Sequence, residues 1–160
     1  MKNFALNQIS IYYEPLEISQ RYFSISLREI KHLFNLSKVK LNPISEVSSL
    51  VLPAYSSYLR VLMIHDKIKT KYNHLLLDGI GVEQNRIALI TYQPVFYETM
   101  YLLAHELGHI LGMSHCNSEK CLMGVYSEDS KTQYSWRVLA REKELTKSLF
   151  CSDCKKFLYS

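Results

Sequence analysis

The sequence predicts an α/β (α+β) fold in which a twisted mixed sheet is packed against helices. Short segments that alternate apolar and polar residues are interleaved with segments whose apolar residues recur at helical spacing. The chain has 160 residues, 48% of them hydrophobic, which is enough to bury a core and argues against disorder. We therefore expect a single domain over residues 1–160, with a sheet-and-helix part at 1–112 and a C-terminal part at 113–160.

The first two elements are predicted from alternation and from helix signals. Gln8–Tyr13 alternates apolar and polar residues and predicts the first strand. Ser26 and Glu29 have the spacing of a capping box and predict a helix over about 26–36. The apolar stripe of that helix would face the core and consists of Leu27, Ile30, Leu33 and Phe34. His32 lies off the stripe and is expected at the surface.

The next segment predicts a short strand and a second helix. Lys38–Leu41 alternates and reads as a strand. Pro53 suits the first turn of a helix that would run to about Lys69. His65 and Asp66 could be a metal ligand and its orienting carboxylate, but we expect them to be solvent-facing residues of this helix.

Two buried strands and a third helix are expected next. Leu75–Leu77 and Ile87–Ile90 are short apolar runs typical of buried strands. Gln93 and Pro94 would then open a long helix. Its buried face is predicted to contain Phe96, Met100, Leu103 and Leu107.

This helix carries an H-E-x-x-H-x-x-G-x-x-H motif. His105 and His109 are four residues apart, so they share one helix face and can bind a single zinc ion. Glu106 lies beside them and could take a proton from a water activated by that zinc. Gly112 could end the helix in the left-handed conformation and let His115 approach the same ion. Three imidazoles leave a fourth position open, which is typical of a catalytic zinc.

The alternative interpretation of this motif is a buried amphipathic helix whose histidines are ordinary core residues. Burying a glutamate between two histidines on an apolar helix would then be costly. The full motif should arise in only about 2 in 100,000 shuffled sequences of this composition, so we favour the metal site.

All four cysteines lie between residues 116 and 154, and the final two have C-x-x-C spacing. This spacing indicates a zinc site more than a disulfide framework. The alternative is a redox pair or a set of unrelated reduced thiols.

Composition and charge limit the classes of binding partner that we expect. The formal charge is +4, from 19 basic and 15 acidic residues without a dense run, which is weaker than nucleic-acid binding usually requires. No secretory signal and no apolar stretch of eighteen residues is visible in the sequence. We expect a cytoplasmic monomer that binds neither nucleic acid nor a membrane.

The motif and the cysteines together, H-E-x-x-H-x-x-G-x-x-H-C-x4-C-x-M…C-x-x-C, closely resemble the archaemetzincins, a group of metzincin zinc metallopeptidases. The resemblance is specific over residues 105–123 and 151–154. It implies a metzincin-like fold, a peptide or protein substrate, Glu106 as general base, and Met123 as the Met-turn methionine beneath the site. It also implies two zinc ions per chain. The catalytic zinc would be held by His105, His109 and His115, and the structural zinc by Cys116, Cys121, Cys151 and Cys154.

The segment between the methionine and the last cysteine pair departs from the family. Residues 124–150 number 150 − 123 = 27, against about seventeen in the family pattern. Residues 136–145 look helical and contain the only tryptophan, Trp136. The insert could form a lid or wall over the cleft, or a surface helix that packs Trp136 on the domain. Some metzincins have a tyrosine ligand two residues after the methionine; here that residue is Val125, and Tyr126 follows it.

Metzincins generally pair the substrate backbone with an antiparallel edge strand. Only about seventeen residues separate Leu77 from Pro94, so this strand is either abbreviated or formed by Ile87–Ile90. The leading hypothesis for function is peptide-bond hydrolysis. The alternatives are a zinc-stapled binding or regulatory protein with little or no hydrolytic activity and, more weakly, a zinc-ribbon nucleic-acid module.

Overall fold

A computed structural model describes residues 8–15, 20–45, 59–65, 68–69, 76–128, 131–142 and 145–159. These residues contain nine strands: β1 (Gln8–Tyr13), β2 (Lys38–Pro43), β3 (Leu59–Ile64), β4 (Ile68–Lys69), β5 (Leu76–Leu77), β6 (Gly79–Val82), β7 (Ile87–Thr91), β8 (Val125–Glu128) and β9 (Lys131–Tyr134). They also contain four α-helices: α1 (Gln20–Leu33), α2 (Phe96–Ile110), α3 (Ser135–Leu139) and α4 (Ser152–Tyr159).

The main sheet has five strands in the order β2-β1-β3-β7-β6. The first four are parallel to one another, and β6 is antiparallel to β7 at the edge. Two small antiparallel sheets, β4-β5 and β8-β9, complete the described strands. The predicted α/β fold with a mixed sheet and packed helices is therefore confirmed.

The predicted second helix is wrong where the structure describes it. Residues 59–64 form β3, the central strand of the main sheet, instead of part of a helix running from Pro53 to Lys69. Five successive residues of β3 are buried, because a parallel strand in the middle of a sheet is covered on both faces. Apart from Arg60 this run is apolar, so it shows no period that separates a strand from a helix. His65 follows β3 and is exposed, as expected, whereas Asp66 and residues 53–58 lie outside the described part.

Helix α1 has the predicted stripe but not the predicted start. It begins at Gln20, so Ser26 is buried inside the helix and does not cap it. The capping-box prediction is therefore wrong. Leu27, Ile30 and Leu33 are buried against the core as expected, and His32 is exposed as expected.

Helix α2 begins two residues after Pro94 and is the most buried helix of the described chain. Met100, Leu103 and Leu107 have no exposed surface, and Phe96 packs partly against the same core. This confirms the predicted buried face. The helix packs on β6 and β7 and brings its histidines to the edge of the main sheet.

The edge strand is β6, in the segment between the two strands predicted at 75–77 and 87–90. Its four residues include two glycines, which hide the strand pattern, and it confirms that the edge strand is abbreviated. The predicted buried strand at 75–77 is only partly described. Leu76 and Leu77 form β5, which pairs with β4 outside the main sheet.

The insert at 124–150 folds mainly as the hairpin β8-β9 followed by α3 and a short 3₁₀ helix at Ala140–Glu142. The helix predicted over 136–145 is therefore much shorter than expected. Trp136 is only 3% exposed. It therefore packs on the domain, as the surface-helix interpretation of the insert predicted.

Candidate metal centre and active-site cleft

The three histidines of the motif converge on one point. His105 and His109 lie one turn apart on α2, and His115 comes from the segment that follows the helix. The Nε2 atoms are separated by 3.2 Å for His105–His109, 3.0 Å for His109–His115 and 3.2 Å for His105–His115. A tetrahedral zinc ion at about 2.0–2.1 Å from three imidazole nitrogens places those nitrogens about 3.3 Å apart. The spacing therefore fits zinc.

Backbone carbonyls fix the tautomers of the two helix histidines. The Nδ1–H of His105 donates to the carbonyl of Leu122 at 2.8 Å, and the Nδ1–H of His109 donates to the carbonyl of Met113 at 2.9 Å. Each Nε2 therefore presents a lone pair to the other across 3.2 Å. Two facing lone pairs repel unless a cation lies between them, and hydrogen bonds from Nδ1–H to backbone carbonyls are the contacts that orient metal-bound histidines.

Burial keeps these imidazoles neutral. It lowers the pKa of His105 to about 4 and also lowers the pKa values of His109 and His115 below the ordinary 6.5. The neutral form is the one that binds a metal ion, so the site holds the right protonation state near neutral pH.

A glycine turn brings His115 to the site. Gly112 has φ = +89°, the left-handed conformation that favours glycine, as the sequence predicted. Its N–H donates to the carbonyl of His109 at 2.9 Å, and the N–H of Met113 donates to the carbonyl of Gly108 at 3.0 Å. These bonds end α2 and reverse the chain toward the other two histidines.

Glu106 is held against the edge strand. It is 6% exposed, and the N–H of Gly81 donates to its carboxylate. A Cβ added at Gly79 would lie 2.9 Å from Glu106 Oε1, and one added at Gly81 would lie 2.6 Å from the carbonyl oxygen of Glu106. Glycine at both positions therefore lets β6 approach the carboxylate closely. Burial raises the pKa of Glu106 to about 7, while the bond from Gly81 lowers it.

Met123 packs against Gly108, on the turn of α2 that carries His109. It is completely buried, and a Cβ added at Gly108 would lie 2.5 Å from its sulfur. Only glycine on this turn of α2 leaves room for the methionine. The preceding residue, Leu122, supplies the carbonyl that orients His105.

The four cysteines also come together. All four are free thiols, and their sulfur atoms lie within 4.8 Å of one another. Cys116 and Cys151 have sulfurs 4.0 Å apart, and the N–H of Cys151 donates to the sulfur of Cys121 at 3.4 Å. Thiolates around a tetrahedral zinc lie about 3.8 Å apart, so this cluster also fits zinc. It joins the segment after His115 to the start of α4, which contains Cys154.

A cleft of about 410 Å³ contains the histidines and Glu106. One wall is formed by β6 and the residues before it, and the other by Tyr134 and Trp136 of the insert. Asp78 and Arg137 form an ion pair between the start of β6 and α3. The insert therefore forms a wall of the cleft while it also packs Trp136 into the core.

Tyr134 is the site residue that the sequence analysis missed. Its ring centroid lies 6.1 Å from that of His105 and 6.0 Å from that of His115. Tyr134 pairs in register with Val125, two residues after Met123. The available signal was the Asp129-Ser130 pair between two short segments, which is typical of a turn and would have indicated a hairpin.

An H-E-x-x-H helix below a sheet edge, a third histidine after a glycine turn and a buried methionine beneath them define a metallopeptidase of the metzincin type. The chain belongs to the matrixin family, whose model matches residues 21–138. It is a metalloprotease by family. No curated protein matches it in sequence.

Solved structures share this fold. An archaemetzincin from Methanopyrus kandleri is 17% identical and superposes with a TM-score of 0.61, covering 99% of this chain and 96% of its own. A zinc-dependent peptidase from Methanocorpusculum labreanum is 11% identical, with a TM-score of 0.61 and coverage of 94% and 99%. An archaemetzincin from Archaeoglobus fulgidus, complexed with malonate, is 16% identical, with a TM-score of 0.56 and coverage of 92% and 99%. The archaemetzincin resemblance is thus confirmed at the level of the fold.

Among the described residues, no helix has both the length and the apolar composition that crossing a bilayer requires.

Proposed function

We propose that this protein hydrolyses peptide bonds with one zinc ion held by His105, His109 and His115 and with Glu106 as general base. The observation that carries the proposal is the convergence of three Nε2 atoms within 3.0–3.2 Å of one another, with two of their tautomers fixed by carbonyls. When bound, zinc would supply a Lewis acid that polarises the scissile carbonyl and lowers the pKa of water.

Glu106 would move the protons. Its carboxylate lies in the same cleft as the histidines, and the Gly81 N–H fixes it at the base of β6. A carboxylate in this position can accept a proton from the attacking water and pass it to the leaving amine. The pKa of about 7 in the metal-free protein would fall when a cation is close, which keeps Glu106 ionised and basic at neutral pH.

The substrate would be a peptide or protein segment in extended conformation. β6 is the last strand of the main sheet and lines the cleft, so a peptide could add to its open edge by backbone hydrogen bonds. We propose that the protein acts as a monomer without nucleic-acid partners.

A second zinc ion would be held by Cys116, Cys121, Cys151 and Cys154, giving two per chain. Four sulfur ligands leave no open position, so this ion would be structural. It would fasten α4 to the residue after His115, with Met123 forming the floor of the active site. Free thiols in a metal-like cluster suit a reducing compartment, and we propose the cytoplasm.

The test is cleavage of a mixed peptide library by protein loaded with zinc, read by mass spectrometry. The matched control is Glu106→Gln, which keeps the three histidines and the hydrogen bond from Gly81 but removes the base. Cuts made only by the unsubstituted protein would establish the proposed hydrolysis and report its specificity. No cuts by either protein, with zinc measured at both sites, would refute it in favour of a zinc-stapled binding protein.

A further inference from the structure

We propose that Tyr134 is a further catalytic residue, whose phenol donates a hydrogen bond to the scissile carbonyl oxygen as negative charge grows on it. This inference rests on the proposed peptide hydrolysis. It is carried by the position of Tyr134 in the cleft, by its distance from two of the histidines and by the way the hairpin holds it.

Tyr134 and Glu106 lie on different walls of one cleft. Glu106 packs on Gly79 and Gly81 of β6. Tyr134 approaches from the insert, with its ring inclined at 86° to that of His105 and at 64° to that of His115. A carbonyl placed at the histidine cluster would therefore have the base on one side and the phenol on the other.

A base on one side of the carbonyl and a hydrogen-bond donor on the other suit the addition of water to it. The attacking water loses a proton to Glu106, a bond forms between its oxygen and the carbonyl carbon, and the carbonyl π electrons move onto oxygen. A donor aimed at that oxygen stabilises the charge when it is largest, which lowers the barrier without tightening ground-state binding. Collapse then breaks the C–N bond, and Glu106 returns the proton to the amine. The phenol keeps its proton throughout.

The backbone around Tyr134 is fixed, although the side chain is 39% exposed. The next residue, Ser135, is completely buried; its N–H donates to the carbonyl of Gly124 at 3.0 Å and its hydroxyl to the carbonyl of Ser118 at 3.3 Å. Trp136, which follows, is buried in the core. These contacts hold the backbone at the end of β9 beside the histidines, so the Tyr134 side chain extends from a fixed point on the wall of the cleft.

A different role for Tyr134 would be to shape a pocket for a substrate side chain. The hydroxyl distinguishes the two roles, because a pocket wall needs the ring and a charge-stabilising donor needs the O–H. Tyr134→Phe keeps the ring and removes only the hydroxyl.

Tyr126→Phe is the matched control. Tyr126 is on β8, paired in register with Gln133, one residue along from the Val125–Tyr134 pair. Successive side chains of a strand point to opposite faces, so Tyr126 points away from the face of the hairpin that carries Tyr134.

The experiment compares zinc-loaded wild type, Tyr134→Phe and Tyr126→Phe. The first readout is kcat and KM on a peptide that the wild type cleaves. The second is the affinity for a phosphinic peptide, a tetrahedral mimic, and for the plain peptide of the same side chains. The plain peptide is measured in proteins that also carry Glu106→Gln and do not turn it over.

We expect Tyr134→Phe to lower kcat about 100-fold with KM nearly unchanged. It should weaken the phosphinic peptide by a similar factor and leave the plain peptide unaffected, while Tyr126→Phe changes none of these. Equal weakening of both ligands, or no effect on the phosphinic peptide, would overturn the proposal. If the wild type cleaves no peptide, the proposed function fails separately, and phosphinic-peptide binding by itself still decides for or against Tyr134.

Discussion

Glu106→Gln is expected to stabilise the protein when no zinc is bound at the three histidines, and to do so increasingly as the pH rises. Glu106 is 6% exposed, and burial raises its pKa from 4.5 to about 7 in the metal-free fold. The folded state therefore holds this proton more tightly than the unfolded state. The protonated carboxyl of Glu106 therefore contributes stability to the fold. This contribution is fully present below about pH 4.5 and is lost as the pH rises through about 7.

The size of the effect follows from the two pKa values. The folded and unfolded pKa values differ by about 7 − 4.5 = 2.5, and a difference of one in pKa corresponds to about 1.36 kcal/mol. Ionising Glu106 in the folded protein at pH 8 therefore costs about 3 kcal/mol of stability. At pH 5 the cost of ionising Glu106 is about 1 kcal/mol by the same linkage relation. Glutamine cannot ionise, so the advantage of the Gln variant should grow by about 2 kcal/mol between pH 5 and pH 8. Titration of the histidines is common to both proteins and cancels in the comparison.

The assay is denaturant unfolding of both proteins at several pH values. A chelator first removes metal from the three-histidine site, and metal analysis checks the removal; under the two-site proposal, one zinc per chain should remain. An advantage of Glu106→Gln that is independent of pH, or that shrinks as pH rises, would refute the reasoning. Restoring the catalytic zinc should reduce the advantage, because a cation beside the carboxylate offsets the cost of its ionisation.

The edge strand and the two metal clusters give four further predictions. Gly81→Ala should lower the free energy of unfolding by about 1–3 kcal/mol and slow cleavage in the peptide assay, because its Cβ would meet the Glu106 backbone oxygen at 2.6 Å. The Cβ added by Gly79→Ala would meet only side-chain atoms of Glu106 and Leu102, which can move. This substitution should therefore lower the free energy of unfolding by less in the same denaturation series. Because burial lowers the pKa of His105 to about 4 and also lowers the pKa values of His109 and His115, protons should compete weakly for the three imidazoles, and the proposed zinc should be retained at pH 6 on acidification; a chromogenic zinc indicator that reports release above pH 6 would contradict this. Cys154→Ser should lose about one zinc per chain and speed proteolysis within 145–159, and an unchanged zinc content would contradict the four-cysteine site.

The candidate site was largely predictable because most of its residues lie close together in the sequence. His105 and His109 lie on one helix face with Glu106 beside them, and Gly112 adopts the left-handed turn that the motif requires. Residues within one turn of each other are placed by helix geometry alone. The convergence of the cysteines was also anticipated, from spacing and family resemblance.

What could not be predicted depends on contacts between distant segments. β3 is buried on both faces, which removes the alternation that identifies a strand. β6 contains two glycines because Glu106 packs against it, and this tertiary requirement overrides strand propensity. Tyr134 reaches the histidines only through the hairpin, which pairs it with Val125. Nothing in the sequence around Tyr134 marks it as a cleft residue.

The glycines of β6 also have a consequence for inhibitor design. Gly79, Ile80 and Gly81 are the residues of this strand that line the cleft, so two of the three offer only backbone atoms to a ligand. Peptide-like compounds of different sequence would make the same hydrogen bonds there. Selectivity among compounds that share a zinc-binding group should therefore come from the opposite wall, where Tyr134 and Trp136 present aromatic side chains.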